Sequence, residues 1–415
     1  MFKAYSRSRV DLSLSEQTAA LLALTIPRRS LATDHLSEFE HVFAARIGVK
    51  EAISFPSCRS AMFFALKNLE FEPDAEVILP AFTFWVDAAM VILAGLTPVF
   101  VDVDFATMNM DPVAAGNAIT PRTRAIFPTH LNGLSADLDP IKDLAEKYDL
   151  RLIEDCARSC MSIYKNSFVG TADIGTFSFG YGKSFFDFGG GMLTTNDTML
   201  AERIRRDKLS FTMPKYKTMA VQTIKGILLR WLNTPFLYPL SLFPLAYSYQ
   251  IKREKRFESL FKPQIHDYRE IPESFCVNMN NQQARLGLSQ LKRIEKTNAK
   301  RHGNLNYLNA LLDGVGDLIL PFTSPQRPNV GVHYAVWTEH KKDLQRHLFS
   351  HRIDAQDESA VNTAELEIFR HFSRSDFPNA TKLNGNILFL PTHPQMSEGD
   401  LTYIADIVKE YFETK

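Results

Sequence analysis

The segment TFSFGYGKSFFDFGGGMLTTND, residues 176–197, sets one lysine, Lys183, in a glycine-studded turn between two apolar runs. An amine at the mouth of a sheet can condense with an aldehyde cofactor, and pyridoxal phosphate is the usual one. That cofactor makes further demands. Its pyridine nitrogen needs a carboxylate, and Asp155 ends the run RLIEDCA. Its ring needs a flat partner, and Phe84 follows EVILPAF. Its phosphate needs hydroxyls and backbone N–H groups at a helix start. SFPSCRSAMFFALKNL offers Ser57, Cys58, Arg59 and Ser60 at such a start, and Ser178 adds a hydroxyl five residues before Lys183. Gly180, Gly182, Gly189, Gly190 and Gly191 leave room for backbone to approach a ligand.

Each of these residues also has a plainer use when taken alone. Asp155 could cap a helix, Phe84 could be core, and Arg59 and Arg158 could be ion-pair partners. His130 reads equally as a structural hydrogen-bonder and as a site residue. The elements that must carry them decide between the two. EVILPAF, TPVFVDVD, RAIFPTHL, RLIEDCA, IGTFSFG and GMLTTN are short Val-, Ile- and Phe-rich runs without strict alternation, as strands buried on both faces are. DAAMVILAG and DLDPIKDLAEKYD lie between them and read as helices. Strand–helix alternation predicts an α/β fold with a mainly parallel sheet flanked by helices. Ligands bind such sheets beyond the carboxyl ends of the strands. By that rule Thr83, Phe84, His130, Asp155, Ser178 and Lys183 converge on one edge. Residues 280–312 predict one long amphipathic helix, with Leu286, Leu288, Leu291 and Ile294 on one side. A large domain spanning 1–260 and a smaller C-terminal α+β domain spanning 261–415 follow from the length and pattern.

The totals narrow the classes. Lys+Arg and Asp+Glu both number 47, which gives no support for a nucleic-acid partner. The cysteines Cys58, Cys156, Cys160 and Cys276 are too few for a disulfide framework in 415 residues, so a reduced, cytoplasmic protein is the default. Cys156 and Cys160 lack a second Cys/His pair at zinc spacing, and no metal is expected. The N-terminus lacks the apolar core of a signal peptide.

The chain resembles the DegT/DnrJ/EryC1/StrS family of pyridoxal-phosphate-dependent sugar aminotransferases, which have fold type I. The resemblance runs in order through LSEFEHVFAARIGVKEAISFPSCRSAM, EVILPAFTFWVDAAMVILAGLTPVFVDVD, ITPRTRAIFPTHLNGLSADLDPI, LIEDCARS, GTADIGTFSFGYGKSF, GGGMLTTND, QARLGLSQL and LFLPTHPQMS. It implies that Lys183 is the Schiff-base lysine, Asp155 the pyridinium partner, Phe84 the stacking ring and Ser178 a phosphate ligand. It also implies an amino-acid donor, by family habit L-glutamate, a nucleotide-linked keto-deoxysugar acceptor and a homodimer, in surface polysaccharide or glycan biosynthesis. Relatives that dehydrate sugars replace the lysine with histidine, and Lys183 argues against that branch. A non-catalytic regulator or a membrane-associated scaffold is the alternative of another class. Three positions depart from the pattern: Cys58-Arg59 stands for Gly-Thr in the phosphate loop, Arg158 for glutamine after the aspartate, and Cys276-Val277-Asn278 for Asn-Tyr-Arg. Asn278 is the candidate to replace the family's asparagine, which reaches the cofactor phosphate across the dimer interface.

Residues 216–257 have no counterpart in shorter relatives. They are dense in apolar side chains, interrupted by Pro235, Pro239 and Pro244, and flanked by Lys and Arg. The prolines exclude one straight helix. The segment reads either as a hairpin dipping into a membrane interface, anchored by Trp231 and basic flanks, or as a cap on the enzyme or its dimer interface. The cap is the commoner use of such apolar segments in soluble chains.

Overall fold

A computed structural model describes residues 3–415 apart from 28, 30, 31, 262–264, 267 and 358. Two helices, α1 (Leu14–Ala23) and α2 (Leu36–Ile47), precede a seven-stranded sheet. Its strands are β1 (Glu51–Phe55), β2 (Glu76–Pro80), β3 (Thr97–Val101), β4 (Thr123–Ile126), β5 (Arg151–Asp155), β6 (Ile174–Ser178) and β7 (Gly191–Thr195). In space they run β1-β7-β6-β5-β4-β2-β3. Neighbours from β3 through β6 pair in parallel, whereas β7 lies antiparallel between β6 and β1. The apolar runs of the sequence are these strands. They lack alternation because both faces are covered, one by a core containing Phe55, Met62 and Ile153, the other by Ile78, Val99, Ile126 and Ile141. The intervening helices include α3 (Cys58–Asn68), α4 (Val86–Leu93), α5 (Leu138–Tyr148) and α6 (Thr198–Lys208).

The insert forms α7 (Tyr216–Leu232) and α8 (Leu242–Gln250), separated by a turn containing Pro235 and Pro239. The inner side of α7 buries Met219, Thr223 and Gly226. A Cβ on Gly226 would stand 2.7 Å from the Phe188 ring, so α7 lies directly against that side chain. Trp231 Nε1 donates to Gln17 Oε1 of α1 at 2.9 Å, and Phe243 stacks on Phe349 at 5.6 Å. The inner side of the insert is therefore a cap on its own chain.

The single helix expected over 280–312 is two, α9 (Asn281–Leu291) and α10 (Ile294–Leu312). The break falls at Arg293, whose φ of −130° is not helical. Its guanidinium reaches back to Asp11 (2.8 Å) and Glu16 (3.0 Å), and this non-local anchoring outweighs the local helical pattern. α9 packs on α2 beside the large sheet, through Ala284 and Leu291. Beyond it a three-stranded antiparallel sheet, β8 (Tyr334–Trp337), β9 (Gln356–Asp357) and β10 (Ile387–Leu390), is ordered β8-β10-β9. With α10, α11 (Lys341–Ser350) and α12 (Glu398–Glu413) it encloses a core of Leu308, Tyr334, Leu348, Leu388 and Ile404.

One buried charge ties α2 to the sheet. Glu40 accepts from Ser54 N (2.8 Å) and Oγ (2.6 Å) of β1 and pairs with Arg205 of α6 at 2.8 Å. Against the cost of its burial, Lys208 and Arg205 hold its carboxyl below the ordinary value. Its stabilising contribution is complete above the unfolded carboxylate value of about 4.3 and is lost as pH falls through the lower folded value. Glu40→Gln is expected to cost about 1–3 kcal/mol at pH 7, and the gap to wild type should close below pH 4. Urea midpoints measured from pH 3 to 7 check this. A gap independent of pH would show that the charge contributes nothing.

Candidate active site

The carboxyl ends of β1, β2, β4, β5 and β6 and the start of β7 meet at one edge, as the pairs Phe55↔Gly191 and Gly191↔Ser178 show. There a cavity of about 1580 Å³ opens. This exceeds the ~300–1,000 Å³ usual for a ligand site. Its wall includes Cys58, Arg59, Phe84, Asp155, Arg158, Ser178, Lys183 and Asn278. These eight residues, all expected from the sequence, thus share one hollow.

The lysine turn is held on both sides by aromatic packing. Phe179 and Phe185 flank Lys183 in sequence, lie 4.5 Å apart as ring centroids, and pack with Phe39 and Phe43 of α2. Asp187 N and Gly189 N both donate to Phe179 O, at 2.9 and 3.3 Å, which closes the loop. Gly182 takes φ +74° there. The half-buried Lys183 side chain faces the cavity with no hydrogen bond to the described residues. Desolvation, with Arg158 near, pushes its amine down to about 8 in spite of Asp155. Neutral amine is then about a tenth of the population at pH 7, whereas an ordinary lysine has almost none.

Asp155 is anchored by backbone. Its N–H donates to Pro128 O (3.0 Å), its carbonyl accepts from His130 N (2.9 Å), and its Oδ1 accepts from Ala157 N (2.8 Å). Burial raises its carboxyl, opposed by that amide and by Lys183. The other oxygen is left for a donor in the cavity. Arg158, three residues on, donates to Asn132 Oδ1 (2.7 Å) and to Ser359 Oγ, so its guanidinium is oriented by residues 26 before and 201 after it in the chain.

The amino end of α3 faces the same space. Ser57 caps it by accepting from Ser60 N at 3.2 Å, which leaves the first N–H groups of an 11-residue helix toward the cavity. A Cβ on Gly191 would meet Cys58 N at 2.5 Å and Phe177 O at 2.7 Å, so only glycine lets β7 abut this helix end. The Arg59 guanidinium donates to Tyr268 Oη (3.2 Å) and lies over Trp85. Phe84 is tilted 48° against Trp85 at 5.8 Å. The Asn278 amide donates to Phe211 O at 3.4 Å. These features fit pyridoxal phosphate: a free amine, an acid with an unused oxygen, an aromatic face and a helix terminus share one wall.

Two expectations need correction. His130 is fully buried outside the cavity wall. Its Nδ1 accepts from Ala136 N (2.9 Å), so Nε2–H donates to Glu154 Oε2 (2.8 Å), and both ring nitrogens serve structure. The Ser60 hydroxyl donates to Phe275 O at 2.7 Å and does not line the wall. One residue was missed. Asp87, buried in the wall, accepts from Thr83 Oγ1 (2.8 Å) and Thr129 Oγ1 (2.9 Å), and burial next to Asp155 raises its carboxyl well above the ordinary value. In sequence it reads only as a first-turn acid of α4. The threonine that follows β2 was the available signal.

Comparison with known proteins agrees with this geometry. A sequence profile of the DegT/DnrJ/EryC1/StrS aminotransferase family matches residues 15–227 and 250–409, and passes over 228–249 within the insert. The chain is 30% identical over 388 residues to the spore coat polysaccharide biosynthesis protein SpsC of Bacillus subtilis (strain 168), across 90% of this chain and 89% of that protein. It is 29% identical over 376 residues to GDP-perosamine synthase of Caulobacter vibrioides, across 88% and 86% of the two chains. Among solved structures, S. venezuelae DesV in complex with a ketimine intermediate superposes with a TM-score of 0.74 at 25% identity, covering 96% of this chain and 95% of that one. From the strand-end site and the matched length together, the chain belongs to the DegT/DnrJ/EryC1/StrS aminotransferase family.

Proposed function

We propose that this aminotransferase uses pyridoxal phosphate to move an amino group from an amino acid, L-glutamate by preference, to a nucleotide-linked keto-deoxysugar. The observation that carries the reading is Lys183 and Asp155 on one cavity wall beside an open helix amino end. The cofactor, when bound, supplies an aldehyde to carry nitrogen and a ring that draws off electrons. Lys183 would hold the cofactor's aldehyde carbon, and its amine is the group that would move the proton at the substrate carbon. Its lowered basicity suits both tasks. Asp155 would hold the pyridine nitrogen protonated. Phe84 would supply the face for the ring, and Ser178 with the Cys58 and Arg59 amides would receive the phosphate. Arg59 adds a guanidinium where relatives carry a threonine hydroxyl, and Arg158 would serve the cofactor's phenolic oxygen or a substrate anion. Asn278 would contact the phosphate in a homodimer. GDP-perosamine synthase and dTDP-3-amino-3,4,6-trideoxy-alpha-D-glucose transaminase among the relatives support a nucleotide sugar as acceptor. The cavity volume leaves space beside the cofactor for one. The division near residue 260 belongs to the same proposal, supported by the separate core under the three-stranded sheet. So does work at the inner face of a membrane, supported by the basic, apolar insert. Among the described residues no helix is long and apolar enough to cross a membrane.

Two experiments test the site. Incubated with pyridoxal phosphate, reduced with borohydride and mapped by peptide mass, the wild type is expected to carry the label on Lys183. Labelling should rise with pH through about 8. A label elsewhere, or a midpoint near 10, would overturn the assignment. With L-glutamate and a panel of nucleotide-linked keto-sugars, the wild type should form an amino sugar. Lys183→Ala should lose about 10²–10⁴-fold in rate for the proton transfer alone, with its fold retained by circular dichroism. Full activity in that variant would remove Lys183 from the mechanism.

A further inference from the structure

α1 and α7 lie side by side and antiparallel. Trp231 Nε1 meets Gln17 near the start of α1, while Tyr216 Oη donates to Leu24 O just past its end. Both helices rest on α9 and its C-terminal turn: Gln282 Nε2 donates to Thr223 Oγ1 at 2.6 Å, and Glu16 accepts from Ser289 Oγ at 2.9 Å. The faces turned away from α9 therefore look in one direction. On α7 that face carries Lys217, Val221, Ile224, Lys225, Leu228 and Trp231, which recur at helical spacing opposite the buried Met219, Thr223 and Gly226. On α1 it carries Leu14, Leu21 and Leu22, of which Leu14 is 68% exposed. The turn after α7 adds Phe236 and Leu240, 70% and 69% exposed. Half of the exposed large apolar side chains among the described residues fall within α1 and α7 with its following turn.

The charge around this patch has one sign. No Asp or Glu occurs between Asp207 and Glu254, whereas Lys215, Lys217, Lys225, Arg230, Lys252 and Arg253 do. The acid within α1, Glu16, is buried and paired with Arg293. Arg253 pairs with Asp357 at 3.8 Å; apolar side chains flanked by the remaining cations match an anionic lipid headgroup layer with acyl chains beneath it. A second copy of the chain meeting the patch face to face would set the same cations against each other. The family profile covers α1 from residue 15 and α7 to residue 227, and passes over the end of α7, the turn after it and most of α8.

The geometry points to a peripheral membrane-binding surface, formed jointly by α1 and α7, that seats the enzyme on anionic phospholipid. It deepens the proposed location but does not rest on the aminotransferase reading, because none of the apolar side chains of the patch lines the cavity, and of its cations only Lys215 does. The full-length protein is floated with vesicles of phosphatidylcholine alone, or of equal parts phosphatidylcholine and phosphatidylglycerol, at low and high salt. Binding is expected to the anionic vesicles only and should weaken with salt. Lys217→Gln with Lys225→Gln should weaken it about thirtyfold, at about fivefold per lysine. Val221→Glu with Leu228→Glu should abolish it, with circular dichroism and borohydride labelling of Lys183 unchanged. Equal binding to neutral vesicles, or none to either, overturns the proposal. So does a V221E/L228E protein whose only change is a smaller mass in light scattering, since a second copy would then be what covers the patch. Failure of the labelling experiment on Lys183 leaves this result untouched, so the two readings fail separately.

Discussion

The contact between Phe179 and Phe185 is what the rest of the site depends on. These two rings close the ends of the loop that carries Lys183, and α2 presses Phe39 and Phe43 against them. Each aromatic pair adds about 0.5–1.5 kcal/mol beyond its buried area. The packing lets a loop with several glycines present its amine at a constant position. Lose the clamp, and the amine moves away from Asp155 even though every strand remains.

Around that loop the site is built from backbone more than from side chains. Asp155 is held by three backbone hydrogen bonds, two through its own peptide groups and one to its carboxylate. The amino end of α3 is set against β7 by the absence of a side chain at Gly191. Beneath the wall, His130 and Glu154 form a buried pair. Against its burial, the Glu154 carboxyl is kept low by the imidazole. Polar groups in the wall are thus held by groups that do no chemistry themselves. That is how a cleft open to a large substrate keeps its reacting groups in place.

The pair Asp87 and Asp155 adds a constraint on charge. Two buried carboxyls near one amine do not both ionise, and burial beside Asp155 pushes the Asp87 carboxyl well up, against the two threonine hydroxyls that donate to one of its oxygens. Asp155 is favoured in its charged form by the positive groups Lys183 and Arg158 and by the Ala157 amide, and is the one placed to keep its charge. The choice between the acids is made by neighbours that are distant in sequence.

How much was legible beforehand depended on whether the information was local. The strands, the edge on which the chemistry gathers, and Lys183, Asp155, Phe84 and Ser178 as candidates came from short-range patterns: apolar runs too dense for a half-exposed strand, and residues that follow strand ends. The break at Arg293 was invisible, because the acids that cause it stand near the other end of the chain. His130 was unresolved for the same reason, since its sequence surroundings do not say that Glu154 waits beneath it. The insert's density of apolar residues announced that it must cover something. Only packing decided that one side of α7 covers its own enzyme while the other, with α1, stays bare. Composition and periodicity determine which faces must be buried, but which partner buries them is set by contacts between distant segments, and those exist only once the chain has folded.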